Sequence, residues 1–134
     1  MSDVARPGAE QIRILVVDDD LAIRELLTDL LEGEGYAVIA AANGVEALDR
    51  AAIERPAAIL MDLMMPVMSG AEATARLKAN PSTGSIPVIA MSAGRNLAAI
   101  ATTISADGFV AKPFDIDFFL DTIAEATGVA TPST

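Results

Sequence analysis

The chain contains no cysteine and no histidine among its 134 residues. Without cysteine it can form neither disulfide bonds nor thiolate sites. Without histidine it has no imidazole acid–base catalyst, no histidine-bound metal and no phosphohistidine of its own. Aromatic residues are also scarce, at 4%, while hydrophobic residues reach 52%. We therefore expect an aliphatic core, and any metal site must use oxygen ligands.

Basic residues are few, with 9 Lys and Arg against 19 Asp and Glu and a net charge of −10. This balance disfavours nucleic acid and anionic membranes as partners, because both require basic surface. No apolar run approaches the roughly 18–20 residues of a membrane span, and residues 1–10 lack the apolar stretch of a signal peptide. We predict one acidic cytoplasmic domain at residues 11–128, with polar tails at 1–10 and 129–134.

Short apolar runs alternate with longer amphipathic segments along the whole chain. Residues 12–17, IRILVV, are apolar and β-branched almost throughout, as in a parallel strand buried on both faces. Further strands are predicted at 36–41, 57–62, 87–92 and 108–112, and helices at 21–35, 43–55, 69–80, 96–106 and 114–128. Five β–α units in series predict an α/β fold with a parallel sheet and helices on both faces.

Capping residues support the helix starts. Asn43 is a predicted N-cap, and Ser69 with Glu72 three residues later predicts a capping box. The last helix is predicted to bury a stripe formed by Ile116, Phe119, Leu120 and Ile123.

Polar residues stand where the predicted strands end, and parallel strands bring their carboxyl ends to one edge of a sheet. These residues are Asp18, Asp19, Asp20, Asp62, Ser92 and Lys112. Two carboxylates at about 4 Å repel by roughly 4 kcal/mol at an effective dielectric near 20. Protonation or a bound cation would relieve this repulsion, and an all-oxygen site suits Mg²⁺. Ser92 and Lys112 could then contact a phosphate, and one carboxylate could act as a phosphoryl acceptor.

Four motifs occur in order along the chain: VVDDD, LMDLMMP, MSA and GFVAKPF. In these motifs and their spacing, residues 11–128 closely resemble the receiver domain of two-component response regulators, including the single-domain chemotaxis receivers. The resemblance implies a flavodoxin-like (βα)5 fold with strand order 2-1-3-4-5 and a Mg²⁺ cofactor. It also implies a cis peptide bond between Lys112 and Pro113.

The resemblance also implies a role for each matching residue. Asp62 matches the phosphoacceptor, and Ser92 and Lys112 match the residues that contact the phosphoryl group. Ser92 and Phe109 match the conformational switch. The implied metal ligands are Asp18, Asp19, Asp62 and the backbone carbonyl of Met64.

The implied function is to accept a phosphoryl group from a histidine kinase or a histidine phosphotransfer protein. The new charge would draw Ser92 and then Phe109 inward and reshape a face within residues 94–127, which binds an effector protein. The implied state is a monomer or a weak phosphorylation-dependent dimer. Such a domain is not a turnover enzyme and catalyses only its own slow, Mg²⁺-dependent phosphorylation and dephosphorylation.

Other interpretations of the same residues stay open. Asp62 alone could be an ordinary strand-ending aspartate, and Asp20 is best read as a helix cap. A phosphatase of the haloacid dehalogenase type also forms an aspartyl-phosphate, but it needs an aspartate where this chain has Met64. A non-phosphorylated scaffold receiver is a further alternative. The chain departs from the family pattern at Ser69, where aspartate is common, and at Phe109, which lacks the hydroxyl of many relatives.

Overall fold

The computed structural model describes residues 11–93, 106–113 and 115–128. Its strands are β1 (Arg13–Val17), β2 (Ala37–Ala41), β3 (Ala58–Asp62), β4 (Val88–Ser92) and β5 (Gly108–Ala111). Its helices are α1 (Leu21–Gly33), α2 (Gly44–Glu54), α3 (Gly70–Ala79) and α4 (Ile116–Thr127). Both predicted tails, and the helix predicted at 96–106 except its last residue, lie outside the described residues.

The five strands form one parallel sheet in the order β2-β1-β3-β4-β5. This order and the α/β architecture confirm the predicted fold. The register aligns Val17 with Met61 and Ser92 with Ala111, so the carboxyl ends of the strands meet at one edge. The strand order changes direction at β1, and the crevice beside β1 and β3 is where such sheets bind ligands.

Helices cover both faces of the sheet. Helices α1 and α4 pack on one face, where Leu27, Leu31 and Phe119 are fully buried against the strands. Helices α2 and α3 pack on the other face through small side chains such as Ala51 and Ala73. Every residue of β3 and β4 is buried, which explains their continuous apolar sequence. None of the helices in the described ranges is long and apolar enough to cross a membrane.

The predicted N-caps of α2 and α3 are confirmed, but the capping box is only half formed. Ser69 Oγ accepts a hydrogen bond from the Glu72 N–H at 3.1 Å. The Glu72 carboxylate, however, pairs with Arg76 at 2.8 Å. The arginine lies one helical turn away on the same face and attracts the carboxylate away from the backbone.

The buried stripe predicted for the last helix is correct at Phe119 and Ile123, correct in part at Leu120, which is partly buried against the same core, and wrong at Ile116. Ile116 is half exposed, and Ala124 completes the buried set instead. Asp115 caps the helix by accepting from the Phe118 N–H at 3.1 Å. Ile116 is thus the first residue of the helix and lies at its exposed amino end.

Candidate functional site

The carboxyl edge of the sheet brings three of the predicted residues into direct contact. Lys112 Nζ lies 2.9 Å from Asp18 Oδ2 and 3.4 Å from Asp62 Oδ1. Asp18 follows β1, Asp62 ends β3 and Lys112 follows β5, so residues far apart in sequence meet here. Both aspartates are buried, whereas Lys112 is partly exposed. One ammonium group thus bridges two carboxylates that the sheet holds away from water.

A third carboxylate completes the cluster. Oxygen atoms of Asp18, Asp19 and Asp62 lie within 4.8 Å of one another, and Asp19 is exposed to solvent. Three carboxylates and one lysine leave a formal charge of −2. A divalent cation would cancel this charge, and carboxylate oxygens are the ligands that Mg²⁺ prefers. The donor set therefore fits the predicted metal.

The backbone holds Asp18 in place from several sides. Its N–H donates to the Ala41 carbonyl at 3.2 Å. Its Oδ1 accepts from the Asp20 N–H at 2.9 Å, while Asp20 caps α1 through the Ala22 N–H at 2.9 Å. The Arg24 guanidinium donates to the Asp18 carbonyl at 2.7 Å. This role of Arg24 was not predicted, although a basic residue one helical turn after an acidic run is a detectable signal in the sequence.

Asp62 is fixed by the loop that follows it. Its Oδ1 accepts from the Met64 N–H at 3.2 Å, and the Gly70 N–H donates to the Leu63 carbonyl at 3.2 Å. A Cβ atom at position 70 would lie 2.1 Å from the Asp62 carbonyl oxygen, well inside contact distance. The helix start can therefore approach Asp62 only because residue 70 is glycine. This role of Gly70 was not predicted from the sequence, although the glycine lies only eight residues after Asp62.

The loop between Asp62 and α3 has one unfavourable backbone conformation. Val67 has a φ of 71°, and the Met68 N–H donates to the Pro66 carbonyl at 2.8 Å across it. This is a γ-turn with positive φ, which a β-branched residue rarely adopts. Val67 is 92% exposed, so no packing of its side chain requires it. Met64 has an exposed side chain too, and its backbone N–H faces Asp62.

The site shifts the pKa values of two of its groups. Burial raises the pKa of Asp62; the Met64 N–H and the Lys112 charge lower it, and the Asp18 charge raises it further, leaving it above its usual range. Burial lowers the pKa of Lys112, but the hydrogen bond to Asp18 and the charges of Asp62 and Asp18 outweigh burial and raise it. Asp62 is therefore a buried acid that resists ionisation, beside a lysine that holds its proton.

Ser92 and Phe109 lie on one face of the sheet near this cluster. Ser92 is buried at the end of β4, and its carbonyl accepts from the Lys112 N–H at 3.0 Å. Phe109 pairs in register with Ala90, two residues before Ser92, and is 43% exposed. Ala90 and Ala111, the strand residues that pair with Phe109 and Ser92, have small side chains. The peptide bond between Lys112 and Pro113 is cis, as predicted.

Comparisons with known proteins agree on one family. A family model for the response regulator receiver domain matches residues 14–124. The response regulator MprA of Mycobacterium bovis is 40% identical over 112 residues, which cover 81% of this chain and 47% of that protein. The chain thus spans about half the length of this relative.

Solved structures show the same fold. The chemotaxis protein CheY4 of Vibrio cholerae is 28% identical with a TM-score of 0.80, over 87% of this chain and 99% of that one. The receiver domain of a sensor histidine kinase from Pseudomonas aeruginosa is 27% identical with a TM-score of 0.82, over 89% and 99% of the two chains. That structure has a magnesium ion coordinated in its active site cleft.

Proposed function

Because the chain belongs to the family of response regulator receiver domains, we propose that Asp62 is the phosphoacceptor of a two-component signalling pathway. The donor is a histidine kinase or a histidine phosphotransfer protein, and the output is binding of an effector protein. One observation carries the proposal: Lys112 bridges Asp18 and Asp62 at 2.9 and 3.4 Å, beside a third carboxylate. We also propose a cytoplasmic location, because kinases draw phosphate from cytoplasmic ATP.

In the proposed reaction, an ionised Asp62 oxygen attacks the phosphorus atom of the donor phosphohistidine. A P–O bond forms as the P–N bond breaks, and the donor imidazole leaves with the bonding electrons and takes up a proton. The incoming phosphoryl group carries negative charge into a cluster that already repels anions. The Lys112 ammonium, 3.4 Å from Asp62, is positioned to neutralise part of that charge.

The carboxylates also form the proposed metal site. Asp18, Asp19 and Asp62, with the Met64 carbonyl, are the residues that would hold Mg²⁺. When bound, the ion supplies positive charge against the phosphoryl oxygens. The hydrogen bonds to the Asp18 backbone and Oδ1 restrain this ligand before any cation arrives.

We propose that Ser92 and Phe109 transmit the change. The Ser92 hydroxyl would turn toward the phosphoryl group, and Phe109 would move inward over small neighbours such as Ala90. Residues 94–105 of the proposed output face lie outside the described residues. Moving such an equilibrium from 1:99 to 99:1 takes about 5.5 kcal/mol of differential interaction. A desolvated phosphoryl group in contact with a cation, Lys112 and Ser92 is a suitable source.

Intact-mass spectrometry with acetyl phosphate tests the acceptor directly. We expect one added phosphoryl group that requires Mg²⁺ and is absent in Asp62→Asn. Borohydride reduction of the adduct should convert Asp62 into homoserine, which locates the bond. Asp29→Asn, an exposed acid on α1, is the matched control and should be modified like the wild type. An adduct that persists in Asp62→Asn would contradict the assignment.

A scaffold receiver is the second outcome of the same experiment. If neither acetyl phosphate nor a purified histidine kinase modifies the chain, and Mg²⁺ does not raise its melting temperature, the site is a structural remnant. Slow loss of the adduct in the wild type would measure the proposed self-dephosphorylation, and sedimentation with and without beryllofluoride would measure the proposed dimer.

A further inference from the structure

Arg24 is the one basic residue of α1, and its side chain turns back toward the start of the helix. The guanidinium donates to the backbone carbonyl of Asp18 at 2.7 Å and is partly buried. Hydrogen bonds from a charged donor at this distance are among the stronger ones in proteins. Among the residues that the structure describes, no carboxylate lies within ion-pair distance of this guanidinium. In a chain with 19 acidic residues, the Arg24 side chain therefore binds a neutral carbonyl.

This carbonyl lies just beyond the end of the sheet. Asp18 is fully buried, and its N–H still bonds to the Ala41 carbonyl at 3.2 Å. Its own carbonyl lies past the last pair in the register of β1 with β2, Val17 with Ala41, and accepts from Arg24. A buried carbonyl that loses its donor must rotate or recruit water. Arg24 therefore fixes the orientation of the peptide unit between Asp18 and Asp19.

Asp19 lies between two peptide units that are both held in place. Arg24 holds the unit before it through the Asp18 carbonyl. The unit after it is held by the Asp20 N–H, which donates to Asp18 Oδ1 at 2.9 Å. Asp19 itself is exposed, and within the described ranges of the chain its carboxylate accepts no hydrogen bond. The backbone therefore sets the direction in which this carboxylate faces Asp18 and Asp62.

We propose that Arg24 is a positioning residue for the metal site. It holds the peptide unit that directs Asp19 toward Asp18 and Asp62, and it thereby raises the affinity of the site for Mg²⁺. The inference rests on the proposed function, because it concerns the cation that this function requires. Groups that orient metal ligands contribute roughly 10- to 100-fold to metal affinity. Arg24 acts through the backbone and is not itself a ligand.

The charge of Arg24 and its positioning effect act on Mg²⁺ binding in opposite directions. A guanidinium close to a cation site repels the cation, so removal of the charge alone would strengthen Mg²⁺ binding. Loss of the hydrogen bond to the Asp18 carbonyl would instead release Asp19 and weaken Mg²⁺ binding. The direction in which the Mg²⁺ affinity changes therefore distinguishes the two effects.

Arg24→Met tests the proposal, because it removes the charge and every N–H donor of the side chain and keeps an unbranched residue that suits a helix. The full chain is titrated with Mg²⁺ alone and followed by amide chemical shifts, which also show whether each variant is folded. We expect Arg24→Met to raise the Kd for Mg²⁺ about tenfold. An unchanged or lower Kd would overturn the proposal.

Two further variants separate the hydrogen bond from the charge. Arg24→Lys keeps the charge and an N–H donor, so its Kd for Mg²⁺ should lie between those of the wild type and Arg24→Met; no gain in affinity over Arg24→Met would overturn the proposal. Arg50→Met is the matched control. Arg50 is exposed on α2 and pairs with Glu54, which contacts Arg13 at the amino end of β1. This variant removes the same charge far from the site and should leave the Kd unchanged.

A double-mutant cycle shows whether Arg24 acts through Asp19, which a merely structural role would not require. In an Asp19→Ala background the ligand is already absent, so Arg24→Met should cost no further Mg²⁺ affinity. An equal loss of affinity in both backgrounds would overturn the proposal.

Failure of the proposed function gives a different result. A wild type that binds Mg²⁺ but is never phosphorylated on Asp62 would contradict the proposed function and leave the role of Arg24 intact. A wild type that binds no Mg²⁺ would overturn both.

Discussion

The two ends of the sheet each carry a lysine–aspartate pair, and the pairs differ in charge balance. At the amino end, Lys78 Nζ lies 2.7 Å from Asp107 Oδ2 and donates to the Ile86 carbonyl at 3.1 Å. Asp107 Oδ2 also accepts from the Val88 N–H at 2.8 Å. One acid meets one base, and both have backbone partners. This pair connects α3, β4 and β5.

At the carboxyl end, one lysine meets two buried aspartates, with Asp19 beside them. Here the charges do not balance, and burial raises the pKa of Asp62. The comparison teaches that a balanced pair completes a fold, whereas an excess of one charge leaves a place for a ligand of the opposite charge. Four predictions test this difference, from the largest expected effect to the smallest.

Gly70→Ala should disrupt the site at the carboxyl edge of the sheet without changing its charge. The new Cβ would lie 2.1 Å from the Asp62 carbonyl oxygen, and the obstacle is backbone, which cannot rotate away. We expect a loss of about 3 kcal/mol in the free energy of unfolding and a loss of Mg²⁺-dependent phosphorylation. Urea unfolding measures the first. Gly33→Ala, where the added Cβ meets nothing within 4 Å, should be neutral or stabilising; equal losses in both variants would refute the steric argument.

Asp107→Ala removes the lysine–aspartate pair at the amino edge of the sheet. It removes the partner of the Val88 N–H and of Lys78, so we expect a loss of about 1 kcal/mol, because the ion pair itself is partly exposed and screened. Phosphorylation by acetyl phosphate should be unchanged. Chemical unfolding and intact mass give the two readouts, and a variant with normal stability but impaired phosphorylation would reverse the assignment of the two ends.

Asp62→Asn should raise the free energy of unfolding, whereas Asp107→Ala should lower it. The amide removes a buried charge that repels Asp18, and Lys112 keeps Asp18 as its partner at 2.9 Å. We expect a gain of about 1 kcal/mol in unfolding free energy near neutral pH, measured beside the Asp107→Ala loss. Destabilisation of both variants would mean that Asp62 contributes to the fold in the same way as Asp107.

The pH dependence of stability gives the smallest effect. The folded pKa of Asp62 is raised, so stability should fall as pH rises from about 4, its unfolded value, and level off above the folded pKa. The folded pKa of Lys112 is also raised, so its contribution is complete below about pH 10 and is lost as pH rises through the folded value. The acid-side difference between the wild type and Asp62→Asn isolates the first effect. A flat difference would contradict the raised pKa.

Much of this structure was predictable from local pattern. The strands and the described helices lie within about two residues of the predicted bounds, because apolar runs, caps and glycines act over short distances. The errors arose where two local interactions compete for one residue, because the sequence alone does not show which interaction forms. The Glu72 carboxylate forms an ion pair with Arg76 and not the expected hydrogen bond to the backbone. Because Asp115 caps the last helix, Ile116 lies at its exposed amino end.

The candidate site was predictable in composition but not in geometry. Alternating β–α units require a parallel sheet, and the residues after each strand must then share an edge. The sequence alone therefore determined which groups meet: the carboxylates, Ser92 and Lys112. Two supporting residues were missed, because the roles of Gly70 and Arg24 depend on contacts with Asp62 and Asp18.

Only the tertiary structure decided how these groups share their charges. Whether Lys112 pairs with one aspartate or two, and how far Asp62 resists ionisation, depends on burial and on distances across three strands. The pocket of about 390 Å³ between β5 and α4, whose lining includes Ile89, Phe118 and Thr122, is likewise a property of two packed elements and of no single segment. Local pattern specifies elements because its interactions span a few residues, whereas electrostatic balance and open space arise only when distant elements meet.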